Sequence, residues 1–532
     1  MSVDKQNEER FDNENRVAEK ACGVLGLTDI DEDGKRATEA EHSLSVLNGI
    51  KVYPKAVGWS VLVSMAIVMN GYDTSLLSTF YAYPAFQKKY GNPFDGGYQV
   101  SAAWQSGLSA AAVIGRMIAI FANGVLIERF GYKRVMQAGY ILMALFILIL
   151  FFAPTTAILL VGEIFCGLSW GSFSTLAPAY AADVAPLVLR GYLTSYVNLC
   201  WVFGQLMAAG VLQSMQARTD QWAYRIPFAL QWIWPVPLFA IMCFAPESPW
   251  WLVRKGRLQN AERSLQRLSQ KPRETRQTLA LIVHTNELEK QNETGTTWGD
   301  CFRGHDRRRT EISSVAMAAQ TLAGLTFGQN GTYFFEQAGM SASNSFKMNL
   351  GYNGIALVGT VASWVLISYW GRRTVYLFGL SLMTTIMFII GFLSLAPSTN
   401  KGSIWAQATL LLVWIFFYDL TIGPVAFIVM SETSATRLRQ KTIAIARNAH
   451  NLCSILSTVI SPYMLNPEEG NWKGKTGFFW GALSLLCTIW TYFRLVEAKG
   501  RTYEELDILF QKGVKAKDFK RHEIDPYSVD AE

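Results

Sequence analysis

The chain has 532 residues, of which 50% are hydrophobic and 17% are charged, and its formal net charge is +7 at pH 7. A water-soluble chain of this length normally has about 25% charged residues, spread over several domains. Here the apolar residues are gathered into long blocks, so the composition excludes an ordinary soluble protein and indicates a membrane protein. The positive charge does not indicate a nucleic-acid partner, because most basic residues lie in loops between apolar blocks.

The polar beginning of the chain predicts a disordered tail over residues 1–55, and the apolar blocks after it predict membrane spans. One span requires about 20 mostly apolar residues. In the first half of the chain we predict six spans, at 57–78, 102–127, 134–153, 157–180, 192–213 and 226–245. In the second half we predict six more, at 312–336, 349–369, 374–395, 405–430, 442–465 and 476–495.

The predicted fold class is therefore an all-α membrane protein with twelve transmembrane helices in two six-helix halves, residues 56–245 and 312–496. A polar linker with short helices over residues 246–311 connects the halves, and a second tail occupies residues 497–532. The seven cysteines show no spacing typical of a metal site. The sequence also contains no nucleophile elbow or phosphate-binding loop, so we predict no metal, no cofactor and no enzymatic activity.

Lysine and arginine residues predict the orientation in the membrane. The linker alone contains thirteen of them between Arg254 and Arg309, and the short loops on its side add several more. Positive residues concentrate in cytoplasmic loops. We therefore expect both termini and the linker in the cytoplasm.

Charged motifs recur at equivalent places in the two halves. Asp183, at the end of span four, is followed seven residues later by Arg190, and Glu432, at the end of span ten, is followed seven residues later by Arg439. This recurrence favours duplicated halves, which place a substrate site between them near the bilayer midplane. The alternative is a chance recurrence of arginine-rich cytoplasmic loops.

The charged residues of these loops are candidates for a cytoplasmic gate. We predict that salt bridges among them close the inner side of the protein, although each exposed pair is worth only about 0–1 kcal/mol. The alternative is that they only signal topology. The predicted gate residues are Glu128, Arg129, Asp183, Arg190, Glu247, Arg372, Arg373, Glu432 and Arg439.

Three ionisable residues lie inside predicted spans of the first half. Asp73 lies in span one, Arg116 near the middle of span two, and Glu163 in span four. A charged side chain inside a membrane costs several kcal/mol unless it is paired or hydrated, so each is a functional candidate. Spans one and four run in opposite directions, which brings Asp73 and Glu163 to a similar depth.

Several motifs resemble those of the sugar porter family of the major facilitator superfamily. They are Gly124-x-Leu126-x-Glu128-Arg129-x-Gly131, Pro246-Glu247-Ser248-Pro249 and Glu497-x-Lys499-Gly500-Arg501. The segments Gly71-Tyr72-Asp73-Thr74 and Asn471-Trp472-Lys473-Gly474 are similar to fungal maltose and α-glucoside permeases. The resemblance implies a monomeric protein of the plasma membrane that imports an α-linked glucoside by alternating access, together with a proton.

The resemblance also implies that Asp73 is the proton carrier. In sugar porters this Asp pairs with an Arg in span four, and here Glu163 replaces that Arg. One hypothesis is that Asp73 and Glu163 share a proton, because two neighbouring carboxyls at low dielectric do not both ionise easily. The other is that Glu163 forms a buried ion pair with Arg116.

Two departures from the α-glucoside permeases concern positions that are often acidic in them. Asn70 and Arg116 stand at these positions. The loss of two acids leaves open an uncoupled sugar facilitator, a sugar sensor, or a porter for another solute, including export of a specialised metabolite.

The resemblance further implies a set of substrate-binding residues in spans five, seven, ten and eleven. Asn198 stands where many sugar porters have a binding Gln, and Gln320 matches the first residue of their span-seven glutamine motif. The full predicted set is Asn198, Gln205, Gln320, Thr321, Thr326, Phe427, Arg447 and Asn451. The alternative for any single member is a role in helix packing.

Overall fold

The structure is a computed structural model, and it describes residues 46–81, 83–94, 97–185, 187–215, 218–268, 275, 278–280, 282–283, 286, 297–331, 334, 342–396, 401–435, 438–466, 469–501 and 503–520. Most of the predicted N-terminal tail, part of the predicted linker, and residues 502 and 521–532 of the predicted C-terminal tail lie outside these residues.

The first half contains ten described helices. They are α1 (Val46–Val52), α2 (Pro54–Ser64), α3 (Ala66–Phe80), α4 (Pro84–Tyr90), α5 (Ala102–Phe130), α6 (Tyr132–Phe152), α7 (Thr156–Val184), α8 (Leu187–Met215), α9 (Trp222–Leu230) and α10 (Pro235–Phe244). Predicted span one is formed by α2 and α3, and predicted span six by α9, a 3-10 turn and α10. The loop before α5 contains an antiparallel hairpin, β1 (Asn92–Phe94) and β2 (Gly97–Gln99), which the sequence analysis did not anticipate.

The linker and the second half contribute eleven further described helices. They are α11 (Pro249–Arg254), α12 (Leu258–Leu268), α13 (Gly304–Gln320), α14 (Thr326–Gln329), α15 (Ala342–Tyr369), α16 (Arg372–Leu393), α17 (Lys401–Phe417), α18 (Gly423–Thr433), α19 (Arg439–Leu465), α20 (Thr476–Arg494) and α21 (Tyr503–Gln511). A π-helical turn joins α13 to α14 and another joins α17 to α18. In the first of these turns Gly324 has φ +104°, a conformation that residues with a Cβ atom adopt only with strain.

Ten helical segments of the described chain are long and apolar enough to cross a membrane. They correspond to ten of the twelve predicted spans. The other two predicted spans, seven and eleven, coincide with α13–α14 and α19, which are less apolar. In α19 the reason is a run of polar residues that includes Arg447, Asn448, His450 and Asn451.

Helix packing follows the same plan in both halves. In the first half α3 packs on α8, α5 packs on α7, and α6 packs on α10. In the second half α13 packs on α19, and α16 packs on α20. The helix α15 packs on α17 and on the π-helical turn that follows α17. Between the halves α5 packs on α19 and α8 on α15. Each contact of one half therefore has a counterpart in the other, which agrees with the predicted duplication.

The contact between α3 and α8 depends on two glycines. A Cβ atom on Gly204 would lie 2.0 Å from the backbone oxygen of Val68, and one on Gly71 would lie 2.1 Å from the backbone oxygen of Trp201. Small residues allow helix backbones in a membrane to approach closely. These glycines thus fix the spacing of spans one and five.

One glutamate follows the last span of each half, and the two occupy matching positions. The Glu247 carboxylate accepts hydrogen bonds from the backbone N–H groups of Tyr132 (3.0 Å) and Lys133 (3.2 Å), at the beginning of α6. The Glu497 carboxylate accepts from the backbone N–H groups of Arg372 (2.7 Å) and Arg373 (3.2 Å), at the beginning of α16. Both carboxylates neutralise the positive end of a helix. We call this end of the bundle the linker side and the opposite end the far side.

Replacing Glu247 by Ala is expected to reduce the free energy of unfolding by about 2 kcal/mol, since a buried, charge-assisted set of hydrogen bonds is lost. Burial raises the pKa of Glu247, and the backbone N–H groups of Ser248, Lys133 and Tyr132 oppose that shift. The measurement is chemical unfolding in mild detergent, followed by tryptophan fluorescence. The control is Glu262→Ala, whose one described hydrogen bond comes from the exposed Gln266; equal losses in both variants would contradict the capping role.

Candidate functional site

A polar cavity lies between the two halves and reaches the far side of the bundle. Its volume is about 830 Å³, including the space at its opening. Helices of the first half and of the second half both contribute to its wall. The polar lining residues are Asp73, Thr74, Ser78, Tyr81, Gln105, Ser109, Arg116, Thr326, Gln329, Asn330, Ser454 and Thr458. Polar groups that converge among apolar ones in a cavity are typical of a small-molecule site.

Asp73 lies in the wall of this cavity and is held from behind by span six. Its side chain is only 2% exposed. The side-chain amide of Gln231 donates a hydrogen bond to Asp73 Oδ1 at 2.6 Å. Gln231 is fully buried in the 3-10 turn between α9 and α10. The sequence analysis did not select Gln231, although a glutamine inside an apolar span was a usable signal.

Glu163 and Arg116 complete the charged group of the first half. Glu163 is fully buried, and neither of its carboxyl oxygens has a hydrogen-bond partner among the described residues. Both Asp73 and Glu163 lie within electrostatic range of Arg116. Among the described residues, however, Arg116 has no carboxylate oxygen within the 4.0 Å of an ion pair. The structure thus brings the three residues together but shows neither a direct Asp73–Glu163 hydrogen bond nor the Glu163–Arg116 ion pair.

Asn198 makes a polar connection between the halves. Its side-chain amide donates to Asp419 Oδ1 at 2.9 Å and lies 3.4 Å from the hydroxyl of Thr360. The Thr360 hydroxyl also donates to Asp419 Oδ1, at 3.3 Å. Asn198 belongs to α8 of the first half, whereas Asp419 lies in the π-helical turn before α18 and Thr360 in α15. Asp419 is 2% exposed.

Asp419 is a candidate functional residue that the sequence analysis missed. The rule that selects Asp73, Arg116 and Glu163, an ionisable side chain inside a predicted span, also applies to Asp419 in span ten. Its position in a π-helical turn is a second signal, because such turns are frequent at functional sites. Only the structure brings it to Asn198.

The predicted residues of span seven have different surroundings. The Gln320 side-chain amide donates to the backbone oxygen of Gly423 at 2.8 Å, which ties α13 to α18. The Thr321 hydroxyl is 3.3 Å from His450 Nδ1, which is also 3.0 Å from the backbone oxygen of Met317. Thr326 lines the cavity. Of the predicted trio, Thr326 therefore faces the cavity, while Gln320 and Thr321 connect helices of the second half.

The remaining predicted binding residues do not line the cavity. Arg447 is above the ring of Phe427, with 5.2 Å between the guanidinium carbon and the ring centre. Asn451, one turn further along α19, is buried, and its amide nitrogen has no hydrogen-bond partner. Gln205 is half-buried on α8, two turns beyond Asn198.

The halves also touch at two places outside the cavity lining. Beside the cavity, the Asn349 amide donates to the Thr79 hydroxyl at 3.4 Å. Toward the linker side, the Trp364 indole N–H donates to the Ser195 hydroxyl at 2.9 Å. Both contacts join the same two halves.

The predicted gate residues lie on the linker side, mostly with local partners. Arg372 forms a two-pronged ion pair with Glu432, at 3.1 and 3.3 Å. Glu247 instead accepts backbone hydrogen bonds, and Arg373 donates to the backbone oxygen of Tyr492 at 2.7 Å.

The other predicted gate residues do not form a continuous salt-bridge network in the described part of the chain. Glu128 and Arg129 are exposed, and the side chain of Arg190 lies outside the described residues. Asp183 accepts a hydrogen bond from the Ser248 hydroxyl at 2.7 Å.

Asp183 is nevertheless one residue through which the two halves interact electrostatically on the linker side. Burial raises the pKa of Asp183, and this shift is opposed by the charge of Arg254, by the Ser248 hydroxyl and by the charge of Arg439. Arg439 belongs to the second half and also donates to the backbone oxygen of Ser431 at 3.3 Å.

Comparison with known proteins identifies relatives over nearly the whole chain. The family described as Sugar (and other) transporter matches residues 59–510. The maltose permease MAL31 of Saccharomyces cerevisiae is 41% identical over 509 residues, which cover 94% of this chain and 82% of the permease. The alpha-glucosides permease MPH3 of the same yeast is 40% identical over 517 residues, covering 95% of this chain and 86% of the permease.

Among solved structures, the proton:xylose symporter XylE bound to 6-bromo-6-deoxy-D-glucose has a TM-score of 0.73 at 22% identity, and the match covers 86% of this chain and 99% of XylE. A partially occluded, inward-open XylE from E. coli has a TM-score of 0.70. These matches confirm the predicted fold, that of the major facilitator superfamily.

Proposed function

Because the chain belongs to the sugar transporter family, we propose that it imports α-linked glucosides of the maltose type together with a proton, by alternating access. It is a multi-pass membrane protein. Its similarity to yeast permeases supports a place in the plasma membrane, and the lysine and arginine distribution supports an orientation with both termini and the linker in the cytoplasm. The far side of the bundle then faces the outside of the cell.

The observation that carries this proposal is the polar cavity between the halves, with Asp73 in its wall. Alternating access requires one site that both halves share. Polar side chains of the first half and of the second half line the cavity. Outside that lining, Asn198 bonds directly to Asp419 across the division. A sugar with many hydroxyl groups has the hydrogen-bonding capacity to replace such contacts.

The proton step is assigned to Asp73, with Glu163 as its neighbour. Asp73 faces the cavity, while Gln231 binds its Oδ1 atom from the protein interior. Two carboxyl groups at low dielectric are not readily ionised together, so the pair is suited to holding one proton. Arg116 favours the ionised form of either acid. Because an acid that stays ionised carries no proton, this observation favours the second candidate function, an uncoupled facilitator.

The deciding experiment uses the full chain reconstituted in liposomes. Uptake of labelled maltose, trehalose and glucose is measured with a pH-sensitive dye in the lumen, and sorbitol serves as the control solute. We expect maltose uptake with acidification of the lumen. Sugar uptake without proton movement at any pH would establish the facilitator, and absence of uptake of every sugar would contradict the sugar substrate.

Asp419 is proposed as a sugar-binding residue that works with Asn198. Asp419→Ala is expected to raise the KM for the transported sugar by about tenfold or more, since a buried acceptor worth about 1.4 kcal/mol is lost. Initial uptake rates over a range of sugar concentrations provide the measurement. Asp518→Asn, at an exposed position after α21, is the control. An unchanged KM in Asp419→Ala would assign the residue to helix packing instead.

A further inference from the structure

Two arginines at the candidate site have no hydrogen-bond acceptor among the described residues. Arg447 is buried, with 8% of it exposed, and Arg116 is half-buried in the cavity wall. The Nε atom of each is itself buried. Within the described part of the chain, neither guanidinium donates a hydrogen bond or has a carboxylate oxygen within 4.0 Å. Burial of a charge is costly unless it is paired and hydrogen-bonded.

Arg116 is placed on the cavity-facing side of α5. Gln105, Ser109 and Ala112 line the cavity at intervals of three to four residues, and Arg116 continues this row toward the linker side. Its guanidinium carbon is 5.9 Å from the ring centre of Trp201. The row makes Arg116 the innermost of these α5 residues in the cavity wall.

Arg447 has a similar place on α19, next to residues that line the cavity. Thr458 and Ser454 line the cavity, and Asn451 and Arg447 extend the same helical face toward the linker side. The helices α5 and α19 come from opposite halves and pack together. The two guanidiniums lie within electrostatic range of each other.

The protein compensates these two charges only in part. The rings of Trp201 and Phe427 each provide a cation–π contact, worth about 0.5–2 kcal/mol. Asp73 and Glu163 are both within electrostatic range of Arg116, but among the described residues neither acid forms an ion pair with it, and Asp73 Oδ1 is bound by Gln231. The planar donor groups of the two arginines therefore remain available for a ligand that supplies acceptor oxygens and negative charge.

We propose that Arg116 and Arg447 together bind an anionic oxygen group, a carboxylate or a phosphate, carried by the transported sugar. The inference rests on the proposed function and narrows its substrate class to α-glucosides with an acidic substituent. A carboxylate or phosphate matches the forked guanidinium geometry and neutralises the mutual repulsion of the two cations. A neutral pair of hydroxyl groups accepts hydrogen bonds but adds no negative charge to offset the two cations.

Ligand binding to the purified full chain in detergent tests the inference. Maltose is compared with maltose carrying a carboxylate at C6 of either ring and with maltose 6′-phosphate, by titration calorimetry and by thermal stabilisation. Acetate and inorganic phosphate alone are included to separate a sugar-borne group from a free anion. We expect at least one anionic sugar to bind about tenfold or more tightly than maltose.

Matched variants locate the binding group. Arg116→Gln and Arg447→Gln, made separately, are expected to remove the preference for the anionic sugar, and Arg116→Lys is expected to retain part of it. Arg218→Gln, at an exposed position beyond α8, is the control and keeps the wild-type preference. Two independent variants keep the test decisive even where one of them folds poorly.

The outcomes distinguish this inference from the proposed function. If maltose binds as tightly as its anionic derivatives, the inference is overturned and the sugar transporter proposal stands. If free phosphate or acetate binds as tightly as the anionic sugars, the assignment to a sugar-borne group is overturned. If no sugar binds, with or without a charge, both proposals fail.

Discussion

Asp73→Asn is expected to abolish accumulation of sugar against its gradient while exchange of labelled for unlabelled sugar continues. Asparagine retains the size of the side chain and its contact with Gln231, but it cannot carry the proton. The carrier then equilibrates sugar without drawing on the proton gradient. The measurement combines uphill uptake under an imposed pH gradient with counterflow exchange in the same liposomes.

The control for this experiment is Asp220→Asn, which removes an equivalent carboxyl at an exposed position of the far side. It should accumulate sugar as the wild type does. Gln231→Leu, which removes the donor to Asp73 Oδ1, should alter the pH dependence of uptake. Undiminished accumulation by Asp73→Asn would show that the proton binds elsewhere, with Glu163 and Asp419 as the next residues to replace.

Gly204→Val is expected to reduce the free energy of unfolding by about 3 kcal/mol, or to prevent folding, because α3 and α8 can no longer approach each other. A Cβ atom at this position would be 2.0 Å from the oxygen of Val68 and 2.7 Å from the nitrogen of Tyr72. These neighbours are backbone atoms, so no side-chain rotation relieves the overlap. Yield of monodisperse protein and thermal unfolding in detergent provide the measurement.

Gly210→Val is the matched control, since it lies on the same helix with no atom within 4 Å of the added Cβ position. Both substitutions place the same β-branched residue in α8, so the intrinsic helix preference changes equally. Only the contact with α3 differs. Similar losses of stability in the two variants would contradict the close approach of spans one and five.

The paired charges of the loops illustrate what a pattern can and cannot predict. The recurrence of Asp183 with Arg190 and of Glu432 with Arg439 indicated two related halves, and the matching helix contacts agree with it. It did not reveal the partners of these charges. Arg372 pairs with Glu432 inside one half, and Glu247 binds backbone N–H groups at the start of α6.

The same limit applies to the candidate site. An ionisable residue inside an apolar span is visible in the sequence, and this selected Asp73, Arg116 and Glu163. Their contacts were not visible, because the partner of Asp73 is Gln231, 158 positions further along the chain. The partner of Asn198, Asp419, is 221 positions away.

By itself, the sequence determined that this protein spans a membrane, that it contains two related helical halves, and that certain helix faces are polar. Length and composition of apolar segments suffice for this, because a helix in lipid satisfies its own backbone hydrogen bonds. Only the tertiary structure decided that Gln231 meets Asp73, that Asn198 meets Asp419, and that Arg116 and Arg447 lie within electrostatic range of each other with no acceptor among the described residues. Helical periodicity defines which residues share a face, whereas the rotation and register of packed helices decide which faces meet.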